Sequence, residues 1–201
     1  MFNSNIKLLI IIKTVMLYMI LSVSAVTEDI NEIAIGPDNA VVKIKVFSSF
    51  TCPHCADFHI NVLPQIKKKY VESGKVKLIF IDFPLDQAAF NASKLLNCMD
   101  KSEQINFMDI IYETQNKWAS GSNLQDINNN LKKIAENLGI SSSLFDKCLA
   151  DETVSDKILN GRIDASKKYS IKSTPSIIIN EKKLEGGASF KNIKEIIEKI
   201  I

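Results

Sequence analysis

Two cysteines stand two residues apart in Phe50-Thr51-Cys52-Pro53-His54-Cys55-Ala56-Asp57-Phe58-His59. Sulfurs at this spacing can do three things. They can form half of a zinc site, a short structural bridge, or a dithiol that opens and closes. The zinc reading needs a second pair of ligands. The sequence has no other C-x-x-C and no H-x-x-x-H, so no metal is expected. A structural bridge closing so short a loop constrains little of the unfolded chain. The redox reading depends on where the pair sits.

That place is legible from its flanks. Val41 to Phe50 is β-branched and aromatic, with Val42, Ile44, Val46 and Phe47, and predicts a buried strand. Phe58, Val62, Ile66 and Tyr70 recur every fourth residue and predict a helix to about Glu72, with Pro64 inside it as an expected kink. Pro53 suits the first turn of that helix, where its missing N–H loses no partner. Cys52 therefore falls at a helix N-terminus. Free N–H groups and the positive end of the helix dipole there favour a thiolate over a thiol. Cys55 lies one turn further in. His54, between them, can donate a hydrogen bond to a thiolate or carry positive charge beside it. His59 has no such context and is expected to be a solvated helix residue.

Further elements follow. Ile33 to Ile35 predicts a short first strand, and Gly36-Pro37-Asp38-Asn39 a turn. Lys75 to Phe83 alternates as a strand and is apolar on both faces at its centre. From 86 to 169 no strand pattern occurs. Helices are predicted at about 87–99, 102–119, 124–138, 142–150 and 152–169. Strand returns at Ser176 to Asn180, with a hairpin back through Lys182 to Glu185. Ser189 predicts an N-cap for a last helix with the apolar stripe Phe190, Ile193, Ile196, Ile197 and Ile200.

Cys52-Pro53-His54-Cys55 resembles the active site of DsbA-like thiol–disulfide oxidoreductases of the thioredoxin superfamily. The likeness continues through Gly36-Pro37-Asp38-Asn39-Ala40, Leu63-Pro64, Asp82-Phe83-Pro84-Leu85, Thr174-Pro175 and Gly186-Gly187, and covers about residues 33 to 201. It implies an α/β, thioredoxin-like fold with a central mixed sheet and an all-helical insertion at about 86–169. It makes Cys52 the exposed nucleophile and Cys55 the buried resolving thiol, together the redox-active disulfide, with His54 tuning them. It implies that Pro175 follows a cis bond and packs against the dithiol, and that Thr174 offers backbone hydrogen bonds to an extended substrate. The sequence departs from the family at Val46. Relatives often carry an acidic residue there, six before the first cysteine, to handle the buried thiol's proton. Lys45 is adjacent but points to the opposite face.

Residues 1–25 differ from the rest. They carry only Lys7 and Lys13, an apolar run from Thr14 to Val23, and Val23-Ser24-Ala25 at a cleavage-like position. This reads as a cleaved secretory signal, with an uncleaved membrane anchor as the alternative. Residues 26–201 are then one domain, with 23 basic and 23 acidic residues. No net basic field remains for nucleic acid. Export makes the periplasm the expected location. There an even set of four cysteines favours pairing Cys98 with Cys148. The expected activity is a dithiol oxidase acting on reduced exported proteins and recharged by a membrane partner. An isomerase or reductase on the same fold is the second reading, and a metal- or peptide-binding module the third. No cofactor is expected. Isomerases of this type usually carry a dimerisation region and none is visible, which favours the oxidase; a monomer is expected.

Overall fold

The computed structural model describes residues 33–201, so the expected signal segment lies outside the described residues. Five strands make one sheet in the order β1 (Ile33–Ile35), β3 (Val76–Asp82), β2 (Val42–Ser48), β4 (Ser176–Ile179) and β5 (Lys182–Lys183). β2 and β3 are parallel and the other pairs antiparallel, so the sheet is mixed. Alternation along β2 sets its faces. Val42, Ile44 and Val46 are buried with Leu78 and Ile177 on one side. Phe47 packs with Phe83, Ile171 and Ile178 on the other. The turn before β2 needs Gly36. Its φ is +101°, and a Cβ there would stand 2.4 Å from Val76 O.

The helix after β2 starts as α1 (Pro53–Asp57) and continues through a wide π-turn (Phe58–Val62), α2 (Leu63–Ile66) and a second π-turn (Lys67–Val71). The first wide turn ends where Leu63 N donates to Phe58 O, just before Pro64. Pro64 cannot donate to the carbonyl four residues back, and the widened turn accommodates that loss without ending the helix. Phe58, Leu63, Ile66 and Tyr70 are buried on the sheet beside Ile193 and Ile197 of the last helix.

Between β3 and β4 lie six helices: α3 (Gln87–Cys98), α4 (Lys101–Glu113), α5 (Gln115–Trp118), α6 (Leu124–Asn137), α7 (Ser142–Leu149) and α8 (Glu152–Tyr169). The single helix expected over 102–119 is interrupted at Thr114, whose hydroxyl donates to Ile110 O at 2.6 Å. Asp86, Asn123, Ser141 and Asp151 cap four of the six with side-chain oxygens, each contributing ~1 kcal/mol. Ser189 does the same for α9 (Phe190–Ile200). Ile193 and Ile197 of its stripe are buried, while Ile200 at the end of the helix is exposed. The insertion has its own core, in which Leu95, Phe107, Ile111, Trp118 and Leu131 join Phe50, Cys52 and Cys55. The dithiol therefore lies on the seam between sheet and insertion. No helix among the described residues is long and apolar enough to cross a membrane.

Candidate active site

Strand β2 ends at Ser48 and delivers Cys52 as the N-cap of α1, in an extended conformation (φ −79°, ψ 118°). Its carbonyl accepts from Cys55 N at 3.0 Å and Ala56 N at 3.2 Å, which starts the helix. The loop before it is tied down from three sides. Cys52 N donates to Ser49 O at 3.1 Å. Thr51 Oγ1 donates to Asp86 Oδ2 at 2.6 Å, and Ser49 Oγ accepts from Leu85 N at 3.2 Å. Asp86 also caps α3, so the loop and the insertion share an anchor.

Both cysteines are free thiols in this structure. Cys52 is less open than expected, at 8% exposure against 1% for Cys55. The reason lies just before β4: Cys52 Sγ donates to Thr174 O at 3.3 Å, beside the cis Thr174–Pro175 bond. The two elements singled out in the sequence, 122 residues apart, thus meet at one sulfur. His54 is exposed beside the pair. It borders an open groove of about 390 Å³ whose apolar wall includes Phe58, Val62, Pro175, Ala188 and Phe190.

Burial pushes the Cys55 thiol up to about 12; the Thr174 side chain and a backbone donor at Ser49 oppose this, and the neighbouring Cys52 adds to it. Thr174 Oγ1 has no hydrogen-bond partner at ordinary distance, so its influence on Cys55 is that of a nearby, loosely directed hydroxyl. Val46 is 2% exposed in the apolar core, as its type requires. Lys45 points away, donating to Tyr169 OH at 2.8 Å and pairing with Glu181.

A pH effect follows from Cys55. The unfolded thiol loses its proton near 9.0, whereas the folded one holds it to about 12. Stability from the neutral thiol is complete below the lower value and is lost as pH rises toward the upper. The reduced protein should therefore lose about 1.4 kcal/mol per pH unit in that window, relative to Cys55→Ala. Denaturant titrations at several alkaline pH values check this; parallel curves for the two proteins would refute it.

Three residues escaped the sequence reading. His59 is not solvated: it is 7% exposed, its Nε2 lies 2.5 Å from Asp109 Oδ1, and its ring stacks on Tyr112 at 4.6 Å. Its position four residues after Cys55 marks the same helix face and was the available signal. Asp109 is desolvated, which raises its pKa, but the hydrogen bond and charge of His59 prevail and hold it below the usual carboxylate value. Gln115 donates from Nε2 to Phe50 O at 2.8 Å and Cys52 O at 3.0 Å. Asp109 and Gln115 come from the insertion, 50 or more residues away, and nothing local announces them. Among the described residues no cluster of three His, Cys, Asp or Glu side chains forms that could hold a metal ion.

A family profile described as Thioredoxin matches residues 28–199. The chain belongs to the thioredoxin family. Within it, the chain is DsbA-like. The crystal structure of Wolbachia pipientis alpha-DsbA1 is 31% identical, covers 85% of this chain and 90% of its own, and superposes with a TM-score of 0.77. A Rickettsia bellii protein with the provisional name protein-disulfide oxidoreductase is 29% identical over 175 residues, which are 86% of this chain. The same match spans 66% of the Rickettsia protein, just under two thirds. Disulfide bond formation protein D of Bacillus subtilis is 27% identical over 173 residues, 82% of this chain and 75% of that one. In this DsbA-like chain Cys98, the last residue of α3, is bonded to Cys148 of α7, closing a separation of 50 residues.

Proposed function

We propose that this chain is a thiol–disulfide oxidoreductase that oxidises the cysteines of newly exported proteins. One observation carries the reading: Cys52, at a helix N-terminus, meets the cis Thr174–Pro175 bond at the edge of an open groove. In its oxidised form the Cys52–Cys55 bond is the electron acceptor. A client thiolate attacks Cys52 Sγ, the more open sulfur. The Cys52–Cys55 bond breaks, and Cys55 leaves with the electron pair and takes up a proton. Its high proton affinity keeps it neutral afterwards. A second client thiolate attacks the client sulfur of the mixed disulfide. Cys52 then leaves as a thiolate, favoured by the positive end of the helix dipole at its N-cap position. Two electrons have passed from client to enzyme, and the client holds a new disulfide.

An extended client fits the groove. Its backbone would pair with that of Thr174, while apolar side chains lie against Phe58, Val62 and Phe190. The reading includes removal of residues 1–25 on export, a periplasmic location, recharging by a membrane-bound oxidant, and a monomer. The names of the Bacillus and Rickettsia relatives support disulfide chemistry.

The equilibrium of Cys52–Cys55 with glutathione tests the direction of flow. An oxidase should lie well above thioredoxin's ~−270 mV and nearer the ~−120 mV of DsbA. A thioredoxin-like value would overturn the oxidase in favour of a reductase on the same fold.

A further inference from the structure

A side-chain donor from the helical insertion reaches the dithiol loop and takes no part in the exchange steps. Gln115 opens α5 in the insertion, and its amide nitrogen donates to the carbonyls of Phe50 and Cys52. An amide NH2 carries two hydrogens, so both bonds form at once. The two carbonyls flank Thr51, the residue that leads into the N-cap. With Cys55 N and Ala56 N, Gln115 brings a third donor to the carbonyl of Cys52 itself.

We propose that Gln115 is a positioning residue for thiol–disulfide exchange: its two hydrogen bonds fix the Cys52 end of the loop and favour the Cys52 thiolate, so the helical insertion sets the oxidising power of the dithiol. This inference rests on the exchange reading above. Carbonyl oxygens carry partial negative charge. Two of them on the segment that bears Cys52 oppose a negative sulfur there, and the positive edge of the Gln115 amide offsets them. The bond to Cys52 O also aligns the first helical turn, whose positive dipole end faces the N-cap residue Cys52. Cys52 is charged only in the reduced state and as it leaves a mixed disulfide, when the electron pair of the broken S–S bond settles on it. The contribution of Gln115 is therefore confined to those states. Its support is firm. Trp118, three residues on, is 1% exposed and donates to Ile111 O at 2.9 Å. The loop also keeps its bonds to Ser49 O and Asp86 without Gln115, so folding does not depend on it alone.

The test uses the full chain with Gln115→Met and Gln115→Ala. Methionine keeps the bulk and removes both donors; alanine leaves room for water, which can donate in their place. Three quantities are read: the glutathione equilibrium, the pH profile of Cys52 alkylation, and the unfolding of both redox forms. Gln115→Met should make the disulfide about tenfold harder to reduce, the change expected when the reduced state loses the net contribution of about one neutral hydrogen bond. Its alkylation profile should move to higher pH, and Gln115→Ala should shift less. The stability gap between reduced and oxidised protein should narrow. If Gln115→Met, or Gln115→Ala where Gln115→Met does not fold, stays within about twofold of the parent equilibrium while both redox forms lose equal stability, Gln115 is a strut and the inference fails. A parent whose pair does not exchange with glutathione at all would instead remove the exchange reading itself.

Discussion

Replacing Cys55 with alanine will leave client proteins covalently trapped on Cys52. In the parent, a mixed disulfide has two exits. The client's second thiol can attack, or Cys55 can attack Cys52 and release the client unchanged. Cys55 is one turn from Cys52 and 1% exposed, and Cys52 is the sulfur set against it. Removing it closes the second exit for every client whose own second thiol is absent or badly placed. Such adducts should rise from a trace to on the order of tenfold or more, as expected when one member of a two-group nucleophilic pair is lost. Cys55→Ala isolated without reductant should run as a ladder of adducts that collapses on adding thiol. The Cys52→Ala/Cys55→Ala double variant should give none. A clean Cys55→Ala preparation would mean that Cys55 does not resolve mixed disulfides.

The site was legible where its signals are local. Strand, N-cap position, proline at the first turn and a four-residue apolar repeat all lie within 30 residues of Cys52, and each acts through neighbours in sequence. The cis Thr174–Pro175 bond was reached only through the family likeness, because a Thr-Pro pair before a strand reads locally as a turn. His59 was misread because nothing near it in sequence marks a partner, whereas its partners Asp109 and Tyr112 lie on α4. Gln115 was invisible for the same reason. Its partners are backbone oxygens, which leave no trace in composition or periodicity. The openness of Cys52 was overstated because helix position says nothing about what closes over the sulfur from Thr174.

The insertion shows the same division between local and distant signals. Its helices were legible as stripes, although Leu124 at the start of α6 is 40% exposed because a first turn has fewer neighbours than a helix middle. How those helices dock is decided by contacts between them. Lys94 is 7% exposed, and its Nζ donates to Leu149 O at 2.7 Å, capping the end of α7. A lysine inside a helical stripe predicts a solvated face. Its burial becomes intelligible only once α7 presents an unpaired carbonyl to it.

That docking makes the second large effect one of stability. Cys98 lies one turn beyond Lys94, and the Cys98–Cys148 bridge pins the same two helix ends that the Lys94 hydrogen bond joins. Cys148 is 1% exposed and Cys98 is half-buried, so the Cys148 sulfur is closed to small thiols. Closing a loop of this length removes chain entropy from the unfolded state worth ~4 kcal/mol. The double variant Cys98→Ala/Cys148→Ala should therefore lose about that much stability, less whatever strain the bridge imposes. For a chain of this size each kcal/mol corresponds to roughly 2–4 °C, so the midpoint should fall by about 8–16 °C. The loss should appear equally in protein with Cys52–Cys55 open or closed, because the constraint acts on a different loop. Mild thiol that opens Cys52–Cys55 should leave Cys98–Cys148 intact. Differential alkylation followed by mass mapping reads this directly, and thermal melts of parent and double variant read the stability. Alkylated Cys98 in folded, air-isolated protein, or a double variant that melts with the parent, would show that the insertion is held by packing alone.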